Sequence, residues 1–251
     1  MNSQPELPTK IYLINLNRDT ERLALMTEQF NRLGLSFERF PAIHGIEMPE
    51  WLRPYFLCAD GSIASNLRLG EVGCYASHLA VMARIAEGSQ PALILEDDIE
   101  LDPDFPAILA SIHNLPNDWD IVRLSNPKRR TVTVGRLCAG RDVVKYSRIP
   151  TTTGACLITS AGARKFLNWK IRREAPYDHD VRRVWDCDLT TYGVLPVPAR
   201  HAAACESTIT AMDEAGPGRA FVESLSLAEL LRRFAYTLRW LGPINYIKAK
   251  L

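Results

Sequence analysis

Apolar positions along this chain alternate between the two-residue period of strands and the three-to-four-residue period of helices. Residues 10–15 (KIYLIN) form a short β-branched and aromatic run that predicts a strand. In residues 20–33, Leu23, Met26, Phe30 and Leu33 fall at helical spacing, and Gly34 supplies a stop. A second extended run, 36–40, leads into a poorly periodic stretch that lasts to Gly70. Residues 71–86 then read as a helix ending at Gly88, and residues 92–95 (ALIL) as a strand apolar throughout, as in a sheet covered on both faces.

Beyond that strand, Asp102-Pro103 is a suitable helix start, with a capping carboxylate followed by proline at the first helical position, and the helix is expected to reach about Leu115. Residues 120–124, 132–134, 143–149 and 155–158 are extended runs with no helical pattern between them after the first. Ser160 is placed to cap a helix through Trp169, a short helix is expected over 178–185, and a strand near Val194. Early strand–helix–strand alternation followed by a mixed second half predicts a parallel-cored α/β fold. Neither repeats nor a Gly/Ser or Pro linker divide the chain, so one domain over 9–223 and a tail over 224–251 are expected.

Composition narrows the picture. With 251 residues, 47% of them apolar and 24% charged, the chain can bury a full core. Thirty Lys and Arg balance 29 Asp and Glu, so no global field points to nucleic acid, and charge-based function must be local. The six cysteines are scattered without a Cys-x-x-Cys pair or zinc-type spacing, which favours reduced, buried thiols. The N-terminal residues lack a basic segment followed by an apolar one, and no stretch approaches the ~18 apolar residues of a membrane span. The expected location is cytoplasmic.

The sharpest local feature is Glu96-Asp97-Asp98, three adjacent carboxylates directly after the apolar strand. Ligands of open α/β sheets bind beyond the carboxyl ends of strands. Adjacent anions there suit a hard divalent cation that takes its remaining ligands from phosphates and water; a solvated turn is the plain alternative. Glu100 and Asp102 extend the run, one as an exposed acid and the other as a cap. Asn15, Arg18 and Arg22 follow the first strand, where asparagine can bond a base or ribose and arginine a phosphate, although Arg18 and Arg22 also fit a helix surface around Glu21. Ser77 and His78 lie on the helix before the acids and read as hydrogen-bonding or simply structural residues. In Tyr177-Asp178-His179-Asp180, the two acids are either helix caps or candidates for a general base.

Together, Ile14-Asn15-Leu16-Asn17-Arg18 with Glu21-Arg22, residues 37–42 ending in Gly45, Gly70-Glu71-Val72-Gly73-Cys74 with Ser77-His78-Leu79, and Leu93-Ile94-Leu95-Glu96-Asp97-Asp98 resemble, in order and spacing, glycosyltransferase family 25. That family includes bacterial lipooligosaccharide β-galactosyltransferases and animal collagen galactosyltransferases. The resemblance covers roughly residues 10–209 and continues more loosely through residues 120–124, Thr153-Gly154-Ala155 and residues 177–180. It implies a GT-A-type fold, a UDP-sugar donor, Mn²⁺ (or Mg²⁺) and inversion at the anomeric carbon. On that carry-over Asp98 is the primary metal ligand, Glu96 the other outer acid, and Asp97 faces the ribose or sugar. Asn15, Arg18 and Arg22 lie near the uridine and diphosphate, and Ser77 and His78 line the donor pocket. Asp178 is the chosen base, with Asp180 second, and His201 is a further candidate metal ligand.

The implied acceptor is a glycan or glycolipid of the bacterial surface, with galactose as the implied sugar. In the tail, Leu227, Leu230, Leu231, Phe234, Leu238 and Leu241 form an apolar stripe, with Arg232, Arg233 and Arg239 off it and Lys248 and Lys250 following. This pattern suits peripheral contact with an anionic membrane, or packing on the domain or a partner. A nucleotidyltransferase making sugar nucleotides also uses acids and a metal on an α/β sheet, but residues 15–22 lack the glycine-rich loop it would carry. The non-enzymatic alternative is a nucleotide-sugar-binding module that has lost catalysis.

Overall fold

Strand β1 (Lys10–Asn15) places alternate side chains on opposite faces of a sheet, and both faces are covered. Ile11 and Leu13 join Leu93, Leu95 and Val122 in one core, while Tyr12 and Ile14 join Ile94 and Ile158 in the other. The computed structural model describes residues 9–125, 130–138, 140–202 and 225–248. After β1 come α1 (Thr20–Leu33), β2 (Glu38–Pro41), the single turn α2 (Arg53–Phe56), α3 (Leu69–Glu87), β3 (Ala92–Glu96), β4 (Ile99–Leu101) and α4 (Phe105–Ala110). The second half holds β5 (Ile121–Arg123), β6 (Thr131–Cys138), β7 (Arg141–Tyr146), β8 (Ala155–Ile158), α5 (Ser160–Trp169), α6 (Tyr177–Asp180), α7 (Val184–Cys187), β9 (Thr191–Leu195) and β10 (Ala199–His201). The tail forms α8 (Leu227–Leu241) and α9 (Pro243–Lys248).

Eight strands form one sheet in the order β2-β1-β3-β8-β5-β9-β7-β6. The pairings β1–β2, β1–β3 and β5–β9 are parallel; those of β8 with β3 and β5, and of β7 with β6 and β9, are antiparallel. Six strands therefore share one direction, and β7 and β8 oppose it. This is the expected α/β fold with a mostly parallel, mixed sheet. Helix α3 is apolar nearly all round and accordingly buried, with Val72, Tyr75, Ala76, Leu79, Val81 and Met82 shielded from solvent. It packs with α5 on one face, while Met26 and Phe30 of α1 and Phe105, Ile108 and Leu109 of α4 cover the other.

Several boundaries differ from the sequence reading. Asp102 does not cap a helix that reaches Leu115: α4 starts at Phe105 and stops at Ala110, followed by a 3-10 turn over Ile112–Asn114. Asp102 instead pairs with Arg141 (2.7 Å) and Arg200, and Arg141 also binds Asp104 and the Pro196 carbonyl. Tertiary ion pairing outweighs local capping there. Helix α5 is capped by Thr159, whose hydroxyl accepts from the Gly162 N–H, with Ser160 already inside the helix. The helix expected over 178–185 is two single turns.

The two-stranded sheet of β4 and β10 has no counterpart in the sequence reading. Three-residue strands are too short to show a period. Of the five cysteines described, Cys156 and Cys187 are buried, Cys58 is exposed, and all five are free. Cys205 and the Glu206–Ile209 segment lie outside the described residues. Among the described residues, no helix is long and apolar enough to cross a membrane.

Candidate active site

Parallel strands β1 and β3 end side by side, delivering Asn15 and Glu96 to one edge of the sheet. Antiparallel β8 begins at the same edge, so the residues just before it, Thr153 and Gly154, arrive beside Glu96; the Glu96 N–H donates to the Gly154 carbonyl (2.9 Å). The pairing of β4 with β10 brings in His201, and the Ala202 N–H donates to the Asp98 carbonyl (2.8 Å). Gly154 permits this approach. A Cβ there would lie 2.3 Å from Ile99 Cδ1 and 3.0 Å from His201 Cε1.

A cavity of about 390 Å³ opens at this edge, walled by Asn15, Arg22, Cys74, Ser77, His78, Glu96, Asp97, Asp98 and His201, with Ala42, Ile43 and Gly45 also lining it. That is an ordinary small-ligand volume. A second cavity of about 340 Å³ adjoins it, lined by Arg68, Glu71, Thr151, Thr152, Thr153, Tyr177 and Asp178. Cys74, Glu96 and His201 line both, so the two cavities share a wall.

The three adjacent acids have three environments. Asp97 accepts from Asn15 Nδ2 (2.7 Å) and Arg22 Nη1 (3.0 Å), which fixes both donors at the cavity wall. Burial raises its pKa despite those partners. Glu96 Oε1 accepts from Thr153 Oγ1 (2.8 Å) and lies 3.2 Å from His78 Nε2. Burial opposes its ionisation, but the His78 and Thr153 contacts hold the carboxyl below its ordinary value. Asp98 Oδ1 is buried and accepts no hydrogen bond; His201 Nδ1 lies 3.3 Å away. The Asp98 carboxylate in turn raises the His201 imidazole above its usual range.

A buried carboxylate oxygen without a donor, beside an imidazole, fits a hard divalent cation that completes its shell with phosphate and water. Among the described residues no group of three or more His, Cys, Asp or Glu converges as a metal cage, so the chain would offer Asp98 and His201. Glu96 stands at the wall with one oxygen already occupied.

The remaining expected residues divide. Ser77 is wholly buried: its hydroxyl accepts from the Ile43 N–H (2.8 Å) and donates to the Gly73 carbonyl (2.7 Å), pinning the far wall to α3. His78 is equally buried and stacks on Tyr177 with ring centroids 3.9 Å apart. Arg18 does not line the main cavity. It borders a neighbouring one with Asn17, His44 and Glu47. Asp178 lies in the second cavity, and burial raises its pKa against the pull of His179, Arg123 and Arg182. Asp180 lines neither cavity; it is fully buried, accepts from Tyr75 OH (2.9 Å) and pairs with Lys170 (3.3 Å), a structural setting.

Residues that sequence reasoning passed over include Arg39, which donates to Asn15 Oδ1 (2.9 Å) and Asn17 Oδ1 (2.8 Å), and Thr153 beside Glu96. Both sit inside motifs already singled out. Cys74 lines both cavities, but burial first, and Glu96 next, push its thiol pKa well up, so it is a neutral wall group.

Comparison with known proteins decides the family. The family model described as "Glycosyltransferase family 25 (LPS biosynthesis protein)" matches residues 8–180. The chain belongs to glycosyltransferase family 25. Among family 25 relatives, a "Glycosyltransferase 25 family member" of Anopheles gambiae is 31% identical over 171 residues, 62% of this chain and 28% of that protein. The "Procollagen galactosyltransferase 1-B" of Xenopus laevis is 27% identical over 63% of this chain and 28% of its own length. The chain thus spans less than a third of the length of these family 25 relatives. A solved structure of a Drosophila β-1,4-galactosyltransferase 7 mutant with manganese, UDP-Gal and xylobiose aligns over 84% of this chain and 82% of that one, at 10% identity and a TM-score of 0.40.

Proposed function

We propose that this family 25 chain is a GT-A-type, metal-dependent inverting hexosyltransferase that moves galactose from UDP-galactose to a lipopolysaccharide, lipooligosaccharide or related surface glycan. One observation carries the reading: two cavities meet at the wall formed by Cys74, Glu96 and His201, one edged by Asn15, Arg22, Asp97 and Asp98, the other holding Asp178. A donor and an acceptor seated in them would face each other across that wall.

In this reading Asn15 and Arg22, held by Asp97, bind the nucleoside diphosphate, and Asp98 with His201 holds Mn²⁺ or Mg²⁺. The bound cation would neutralise charge developing on the diphosphate as it leaves. Asp178 takes the proton from the acceptor hydroxyl, whose oxygen attacks the anomeric carbon from the side opposite the departing UDP. Attack from that side inverts the centre. A carboxylate whose pKa is raised by burial is a stronger base than an exposed one. The Glu96–His78–Tyr177 contacts keep the shared wall rigid. A cytoplasmic setting, peripheral at the inner face of a membrane through the segment from residue 224 onward, belongs to the same proposal, because it places a lipid-linked glycan within reach.

The test is thermal unfolding with UDP, with Mn²⁺ and with both. Ligand at ~100 times its Kd stabilises by about 2.7 kcal/mol, a shift of several degrees for a chain of this size. The expected result is a shift that requires both and disappears in Asp98→Ala. No shift with either removes the donor-site assignment. A shift without any UDP-galactose turnover leaves a binding module.

A further inference from the structure

Helix α8 is mounted with its polar side toward the domain. Arg232 Nε bonds Asp186 (3.0 Å), Arg183 pairs with Glu229, and the Arg233 guanidinium lies 5.4 Å from the Trp185 ring. Tyr236 OH donates to the Leu189 carbonyl (2.8 Å), and Lys145 Nζ reaches the Trp240 carbonyl (3.0 Å) and ring. The apolar stripe turns outward: Leu227, Leu230, Leu231 and Phe234 are 74%, 47%, 59% and 49% exposed. Helix α9 lies on the same side through the Phe234–Tyr246 edge contact (5.5 Å) and adds Ile247, 59% exposed. The C-terminal part of the helix packs inward through Tyr236, Trp240 and buried Leu241, so the outward apolar face belongs to its first two turns.

We infer that this outward face docks on an anionic lipid bilayer, lying in the interface. Beside this face the same helix carries Arg232, Arg233 and Arg239, with Arg183 behind them, against Asp186, Asp188 and Glu229. Lys248 and Lys250 add two cations in sequence. A second copy of the chain would bring two such basic borders together, whereas an anionic leaflet complements them. A 15-residue helix is too short to span the bilayer but suffices to seat a row of leucines at the acyl boundary. The inference deepens the peripheral location proposed above and does not depend on the transfer chemistry.

The experiment is flotation of the full chain with phosphatidylcholine vesicles and with vesicles also containing phosphatidylglycerol. Expected is binding to the anionic vesicles alone, weakened by salt and reduced at least ~10-fold in Leu230→Glu/Leu231→Glu, from the apolar burial forgone. Both positions are exposed, so the unfolding temperature and the UDP–Mn²⁺ shift should stay at the wild-type values. Retention of the shift separates failure of docking from failure of the donor site. Equal binding to neutral vesicles, undiminished flotation of the variant, or a concentration-dependent dimer that the same substitutions disperse would each overturn the inference.

Discussion

Gly73→Ala probes how the far wall of the proposed donor cavity is held. A Cβ at position 73 would stand 2.5 Å from the Ile43 carbonyl oxygen and 2.8 Å from Gly45 N, both backbone atoms. The core side chains of helix α3 around Gly73, Val72, Tyr75, Ala76 and Leu79, are buried and hold it in place, so residues 43–45 must move outward by about 0.6–0.9 Å to reach ordinary contact at 3.4 Å. That shift stretches the Ser77–Ile43 hydrogen bond, now 2.8 Å. Overpacking costs about 1–3 kcal/mol and the weakened bond about 1, while alanine in a helix gains about 1 over glycine. The net destabilisation is about 1–3 kcal/mol, or a Tm lower by about 2–12 °C.

Because Ala42, Ile43 and Gly45 line the proposed donor cavity, a displacement approaching 1 Å should also cost up to ~100-fold in kcat/KM for the UDP-sugar. Differential scanning fluorimetry and donor-hydrolysis kinetics read the two effects. Gly88→Ala at the end of the same helix is the control, since its Cβ meets only the Ile85 carbonyl at 3.6 Å. Wild-type Tm and kcat/KM in Gly73→Ala would refute the reasoning.

Asp178→Asn should abolish turnover with the UDP–Mn²⁺ thermal shift intact, and full activity would remove Asp178 as the base. In the wild type, the acid limb of kcat should lie above the ordinary carboxylate range: the raised pKa leaves Asp178 protonated, and unable to accept a proton, up to a higher pH. A limb at the ordinary value of 3.8 would contradict this. Asp180→Asn should act on stability instead, lowering stability by about 1–3 kcal/mol through its Tyr75 and Lys170 partners, as urea unfolding would register. Glu229, drawn down to about 2 by its bond from the Ser226 backbone, contributes to the tail only while ionised. That contribution is complete above the ordinary value of 4.5 and is lost as pH falls toward about 2; amide exchange at α8 that does not accelerate over this window would count against it.

Local pattern alone determined the elements that frame the site. The runs at 10–15 and 92–95 and the glycine stop after residue 33 are signals carried by neighbouring side chains, and the structure has β1, β3 and α1 at those places. The acidic run stood out because three like charges sit directly after an apolar strand, where a ligand site or a solvated turn would both fit, and it does edge the main cavity.

What tertiary structure decided is the division of labour. Nothing in Glu96-Asp97-Asp98 as a string says that Asp97 meets Asn15 and Arg22, that one oxygen of Glu96 meets Thr153 and His78, and that Asp98 faces His201; the partners are 18 to 103 residues away. Asp178 and Asp180, two residues apart, likewise part company because one turn of helix directs one into a cavity and the other against Tyr75. The tail shows the same limit: its stripe was legible, but which side faces the domain depended on the positions of Asp186, Trp185 and Leu189. Sequence period reports that a face exists, whereas long-range partners choose what it meets.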